Sequence, residues 1–242
     1  DATGFPVLAA VPKVRGGRPG EIIIDKPTSL FAEAYRIVRT AVLGVRSGTP
    51  PKVIALTSAL PGEGKTPSAI AFARTLAMNN ARTILVEGDV RRAQVRANID
   101  NPPDGPGIVE YLRGEAGADD VIAPGGLDNL DMIIVRAPYY SPENLFETGR
   151  MRELIDELSA RYDHVVLDLP PLVGLADGRI LAAMADVVMV VVRWADTPAQ
   201  AVASAVNWLR ADGSNPIGVV YTMVDTQAEA IGGLYYSKKY AA

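Results

Sequence analysis

Residues 59–66, ALPGEGKT, lie between an apolar, β-branched run and a stretch of helical period. Glycines at 62 and 64 let successive backbone N–H groups turn inward around phosphate oxygens, and the start of the following helix adds its positive end. Lys65 then supplies a cation for the outer phosphates of a nucleotide, and Thr66 a hydroxyl for Mg2+. Pro61, Gly62, Glu63, Gly64, Lys65, Thr66 and Pro67 are the expected nucleotide contacts of this loop. Two residues depart from the usual pattern. Ala59 stands where a first glycine is usual, and Pro67 follows Thr66 where a second hydroxyl residue is common; proline in a first helical turn costs little, because that N–H is unpaired anyway. Two acidic strand ends accompany the loop. In ILVEGDVRR, Glu87 and Asp89 lie two apart, so on an extended strand end both point the same way and could share a metal and an attacking hydroxyl. In VVLDLPP, Asp168 closes an apolar strand, placed to hold Mg2+ directly or through water. Ligands of open α/β sheets bind at the carboxyl ends of the strands, so the position of these acids carries the argument.

The elements that must position them are legible as alternation. Short β-branched runs at 52–58, 82–89, 130–136, 164–169, 186–194 and 216–224 are separated by stretches with apolar residues three and four apart, at 29–45, 66–80, 149–162, 176–185 and 199–211. This is the pattern of an α/β fold: a three-layer, doubly wound, mainly parallel sheet flanked by helices. Residues 1–20 read as linker-like, and the Pro/Gly-rich stretches 101–107 and 124–126 as surface loops. With 242 residues, 48% hydrophobic, the chain is long enough for one substantial core. A net charge of −4 gives no global basic field of the kind that draws proteins to nucleic acid. The absence of cysteine excludes disulfides and thiolate metal sites, and a single histidine, His164, argues against zinc. No apolar run reaches the roughly 18 residues of a membrane helix, and the start lacks signal-peptide order. Residue 1 is Asp rather than Met, so the chain reads as a fragment, or the mature part, of something longer.

In order along the chain, these motifs resemble the cytoplasmic catalytic domain of the bacterial tyrosine kinases (BY-kinases) that accompany capsule and exopolysaccharide export. Those are P-loop proteins of the deviant-Walker, MinD/ParA-like group. The resemblance runs from about Gly4 to the C-terminus. GFPVLAAVPKV is similar to the juxtamembrane segment, EAYRIVRT to the oligomerisation helix, ALPGEGKT to the Walker A loop, VEGDVRR to the additional Walker A′ motif and VVLDLPP to Walker B. GIVEYLRGEA and SPENLFETGRM resemble intermediate segments, and a terminal tyrosine cluster, GGLYYSKKYAA, completes the match.

The resemblance implies an ATP/ADP site with Mg2+, catalysis by Lys65, Glu87, Asp89 and Asp168, and metal binding by Thr66, Asp89 and Asp168. The nucleophile is then a tyrosine hydroxyl, whose ordinary pKa of about 10 demands a base or the metal to take its proton. The family gives that work to a Walker A′ acid, here Glu87 where Asp is usual; one methylene moves a carboxylate by about 1 Å, and such a misplacement can cost on the order of a hundredfold in rate. Thr222, in GVVYTMVD, stands where the family often carries an Asn that reads adenine. Tyr235, Tyr236 and Tyr240 are the implied phosphoacceptors. Glu33, Arg36 and Arg39, three residues apart along one helix ridge, match the surface by which family members meet a neighbouring subunit and close a ring. The implied division is a juxtamembrane segment (1–20), a kinase domain (21–230) and a tyrosine tail (231–242). The implied setting is the cytoplasmic face of the bacterial inner membrane, with a transmembrane co-polymerase region in the same or a partner chain and no nucleic acid. Two other readings stay open. A partitioning or cell-division ATPase requires an extra lysine where Leu60 stands, and a catalytically degenerate assembly partner would accommodate Glu87, Pro67, Thr222 and a sparse tail.

Overall fold

The computed structural model describes residues 4–44, 48–141 and 144–226, so the tail tyrosines Tyr235, Tyr236 and Tyr240 lie outside the described residues. Its strands are β1 (Val7–Pro12), β2 (Val53–Ser58), β3 (Thr83–Glu87), β4 (Ala123–Leu127), β5 (Leu130–Ile133), β6 (His164–Asp168), β7 (Val187–Arg193) and β8 (Pro216–Val224). The α-helices are α1 (Ile22–Asp25), α2 (Leu30–Leu43), α3 (Lys65–Met78), α4 (Ile108–Leu112), α5 (Ala118–Val121), α6 (Arg150–Arg161), α7 (Ala176–Ala182) and α8 (Ala199–Ala211). They build an eight-stranded sheet in the order β1-β8-β7-β2-β6-β3-β5-β4, parallel except where β4 runs against β5.

The central strands are buried on both faces, which is why VIALTS, TILVE and HVVLD read as continuous apolar runs rather than as alternating ones. Successive residues nonetheless feed opposite layers. Ile54, Leu56, Leu85 and Met189 pack with α2 and α3, whereas Ala55, Ile84, Val86 and Val190 pack with α4, α6, α7 and α8. Ser29 caps α2 by accepting the N–H of Ala32 at 3.2 Å. α3 runs through the core, with Ala69–Ala77 almost entirely buried beneath the sheet, so the loop at its N-terminus is held by a rigid element.

Two segments differ from the sequence reading. Within the linker-like first 20 residues, β1 adds a parallel strand to β8, with the Val219 N–H donating to the Pro6 carbonyl at 2.8 Å. Its bounding prolines are tolerated because it is an edge strand. The expected surface loop at 124–126 lies inside β4, the opposite edge. Gly125 is needed there, since a Cβ would sit 2.6 Å from Leu130 Cγ, and the register breaks between Pro124 and Leu127.

Candidate active site

The phosphate-loop candidate leaves β2 and enters α3 with left-handed backbone at Gly62 (φ +82°) and Gly64 (φ +84°), a conformation that glycine adopts without steric cost. Pro61 and Gly62 are exposed, whereas Glu63, Lys65 and Thr66 are buried. Pro67 sits in the first turn of α3. Side chains from neighbouring strands brace the loop. The Glu63 carboxylate accepts the Leu60 N–H at 2.8 Å on Oε2 and the Thr197 hydroxyl on Oε1. Burial, the largest influence on it, raises its pKa. From the end of β8, the Thr222 hydroxyl donates to the Glu63 carbonyl at 2.7 Å, and its Oγ1 lies 3.5 Å from where a Cβ on Gly64 would be. The expected adenine-reading residue therefore spends its hydroxyl on the loop.

β2, β6 and β3 are adjacent in the middle of the sheet, which gathers the functional side chains at the carboxyl ends of its central strands. Lys65 Nζ pairs with Asp89 Oδ2 at 3.0 Å, and the Thr66 hydroxyl donates to Asp168 Oδ2 at 2.7 Å. Asp168 is fully buried, and its other oxygen, Oδ1, has no hydrogen-bond partner; burial pushes its carboxyl up to about 6 against the lowering effects of Lys65 and Thr66. A carboxylate with a partnerless buried oxygen beside a hydroxyl fits Mg2+, a hard cation that takes oxygen ligands and uses one or two carboxylates alongside phosphate and water. Among the described residues there is no cluster of three or more His, Cys, Asp or Glu that could hold a metal.

The structure separates Glu87 from Asp89. β3 ends at Glu87, so the two-residue alternation of an extended strand does not continue to Asp89, which begins a turn closed by the Ala93 N–H on the Asp89 carbonyl at 3.0 Å. Asp89 turns to Lys65, whereas Glu87 takes the Val95 N–H on Oε1 at 2.9 Å and the Val135 N–H on Oε2 at 2.8 Å. Burial pushes the Glu87 carboxyl up to about 8, with smaller raising contributions from Asp168 and Asp89.

Sequence reasoning missed Thr197, whose place in the turn that follows β7, the neighbour of β2, was its signal, and a cleft of about 230 Å3 next to Val90. Arg91, Tyr139, Asn144, Phe146 and Asp177 line that cleft, with an Arg91–Asp177 ion pair of 3.5 Å across it. The ridge residues Glu33, Arg36 and Arg39 lie on α2, away from these strand ends. Arg36 Nε donates to Glu33 at 2.7 Å and its Nη1 to the Pro27 carbonyl, while the Nε of half-buried Arg39 has no partner.

Comparison with known proteins adds family to geometry. A family model described as an AAA domain matches residues 51–211. The succinoglycan biosynthesis transport protein ExoP of Rhizobium meliloti (strain 1021) is 31% identical over 211 residues, covering 86% of this chain but 27% of that protein. The tyrosine-protein kinase YwqD of Bacillus subtilis (strain 168) is 28% identical over 233 residues, covering 95% of this chain and 97% of that protein. Among solved structures, the kinase domain of Escherichia coli tyrosine kinase ETK superposes with a TM-score of 0.85 at 24% identity, covering 98% of this chain and 97% of that one; it has the same fold.

Proposed function

The chain belongs to the AAA domain family, and from that premise we propose that it is an ATP-dependent, autophosphorylating protein-tyrosine kinase domain that regulates polymerisation and export of a bacterial exopolysaccharide. The observation that carries the reading is the convergence of Lys65, Thr66, Asp89 and Asp168 at the ends of three adjacent strands. Relatives named for tyrosine phosphorylation and for polysaccharide transport support it.

In this reading the loop N–H groups and the N-terminus of α3 bind the phosphates of ATP, and Thr66 and Asp168 hold Mg2+, which when bound neutralises phosphate charge. Triphosphate oxygens offer Lys65 competing acceptors. Its transfer to them frees Asp89 Oδ2, which then takes the proton of the incoming tyrosine hydroxyl. The tyrosine oxygen bonds to the γ-phosphorus, the bond from that phosphorus to the β–γ bridging oxygen breaks, and ADP leaves with the electron pair. The acceptors are Tyr235, Tyr236 and Tyr240 of a neighbouring copy, brought to the site in a ring joined through Glu33, Arg36 and Arg39, and phosphorylation returns the ring to monomers. The setting is the cytoplasmic face of the inner membrane beside a co-polymerase region. No helix among the described residues is itself long and apolar enough to cross a membrane.

A second reading, a catalytically degenerate nucleotide-binding assembly module, draws on the engagement of Glu87 and Thr222 with backbone groups. Labelled ATP and Mg2+ separate the two. The kinase reading expects phosphate on tyrosine in the purified chain, loss of it in Lys65→Met, and a marked drop in the triple Tyr235, Tyr236, Tyr240→Phe variant. No incorporation in any of them favours the degenerate module, and equal incorporation in wild type and triple variant removes the tail as substrate.

A further inference from the structure

We propose that Glu87 is a positioning residue for phosphoryl transfer and not the group that takes the tyrosine proton: its carboxylate closes the loop that carries Asp89 and ties that loop to the end of β5. The proposal rests on the kinase reading above.

The chain leaves β3 at Glu87, makes an excursion through Asp89, Arg91 and Arg92, and returns at Val95, whose N–H ends the excursion on Glu87 Oε1. Within it, the Arg92 N–H donates to Asp89 Oδ1 at 3.3 Å and the Ala93 N–H to the Asp89 carbonyl, so the Asp89 side chain is part of its own turn. One flank is fixed to β6 by the Gly88 N–H on the Asp168 carbonyl at 2.7 Å. Gly88 leaves this flank close-packed: a Cβ there would lie 3.0 Å from Leu181 Cδ1 and 3.2 Å from that carbonyl. The other flank receives the Tyr139 N–H on the Val90 carbonyl at 2.9 Å. Glu87 Oε2, accepting from Val135, connects this excursion to the segment that leads from β5 to Tyr139.

The partners of the two acids decide which is available for chemistry. Asp89 is held by a lysine ammonium, which phosphate oxygens can draw away. Both oxygens of Glu87 are held by backbone N–H groups of two segments, and releasing them would strand two buried donors. The length of the side chain fits this work. An Asp here would withdraw the carboxylate by about 1 Å, and bonds of 2.8 and 2.9 Å would stretch past hydrogen-bonding range.

The test compares Glu87→Gln, Glu87→Asp and Glu87→Ala in the full chain. Initial rates of phosphate incorporation are measured against ATP concentration with Mg2+, and amide hydrogen exchange is followed over residues 88–95 and 133–139. A positioning role expects Gln, whose single amide oxygen keeps one of the two N–H bonds at the same reach while its NH2 faces the other donor, to hold kcat within about tenfold of wild type with KM for ATP unchanged. Asp, although still a carboxylate, falls further than Gln, and exchange quickens in both segments for Asp and Ala. A general base predicts the reverse order, with Asp retaining rate and Gln losing about a hundredfold or more; that order overturns the proposal, as does unchanged exchange in Glu87→Ala. If the wild type transfers no phosphate, the kinase reading falls, and exchange alone then decides: faster in Glu87→Ala sustains the clasp, unchanged rejects it.

Discussion

Asp168 and Glu87 are carboxyl groups whose ionisation the fold resists, and the sign of that resistance is measurable. Burial raises Asp168 from 3.8 to about 6 and Glu87 from 4.5 to about 8, so between those limits the folded chain binds protons that the unfolded chain has released. Stability contributed by these groups is therefore fully present below pH 4 and falls as pH rises towards 8, by on the order of a few kcal/mol. Urea unfolding of nucleotide-free protein at pH 6 and pH 8.5 is expected to give the lower midpoint at pH 8.5, with a smaller difference in Glu87→Gln; an equal difference in both proteins would remove Glu87 from the account. Asp168→Asn isolates the other acid. It puts an NH2 where the partnerless oxygen stands and keeps an oxygen for the Thr66 hydroxyl, and the expected outcome is a folded protein, melting at pH 8 no lower than wild type, whose affinity for a fluorescent ATP analogue no longer responds to Mg2+.

Strands and loops set where those residues stand. Thr222 at the end of β8 and Thr197 after β7 both reach Glu63, so the phosphate-loop candidate is braced from two strands outside its own β–loop–α unit. Thr222→Val deletes one brace while keeping shape. It is expected to cost about 1 kcal/mol of stability and to raise KM for ATP more than it lowers kcat, measured by urea unfolding and steady-state rates; an unchanged KM would show the brace to be dispensable. The same elements explain what the sequence disclosed. The six inner strands were legible because burial on both faces demands unbroken β-branched runs, and Gly62, Gly64, Lys65 and Thr66 because a phosphate loop demands those types at that spacing. β1 and β4 were not, because their prolines, alanines and glycines oppose strand propensity and pairing at the sheet edges overrides it. The divergence of Glu87 from Asp89 was hidden for a related reason: alternation holds only while a strand lasts, and β3 ends one residue before Gly88.

At the scale of the whole molecule, the proposed ring rests on the α2 ridge. Its Glu33–Arg36 pair is surface-exposed, with side chains 48% and 43% accessible, and such pairs are worth about 0–1 kcal/mol. Breaking it is expected to leave folding intact, which makes the ridge a clean probe. Arg39 has a buried Nε without a partner, and Ile37, an apolar residue on the same helix, is 42% exposed. A carboxylate and an apolar patch on a neighbouring copy would satisfy both. A head-to-tail contact of this kind closes into a ring when its rotation permits, and a charged contact weakens as salt screens it. Light scattering after size exclusion is expected to find wild type larger than a monomer at low salt and shifting to monomer as salt rises, with the combined Arg36→Ala, Arg39→Ala variant monomeric throughout at an unchanged melting temperature. Tail phosphorylation between copies should fall with it, becoming independent of ridge and salt only if the tail reaches its own site. A wild type that is monomeric at every salt and protein concentration would sever the ridge from assembly and leave phosphorylation to chance encounters between chains.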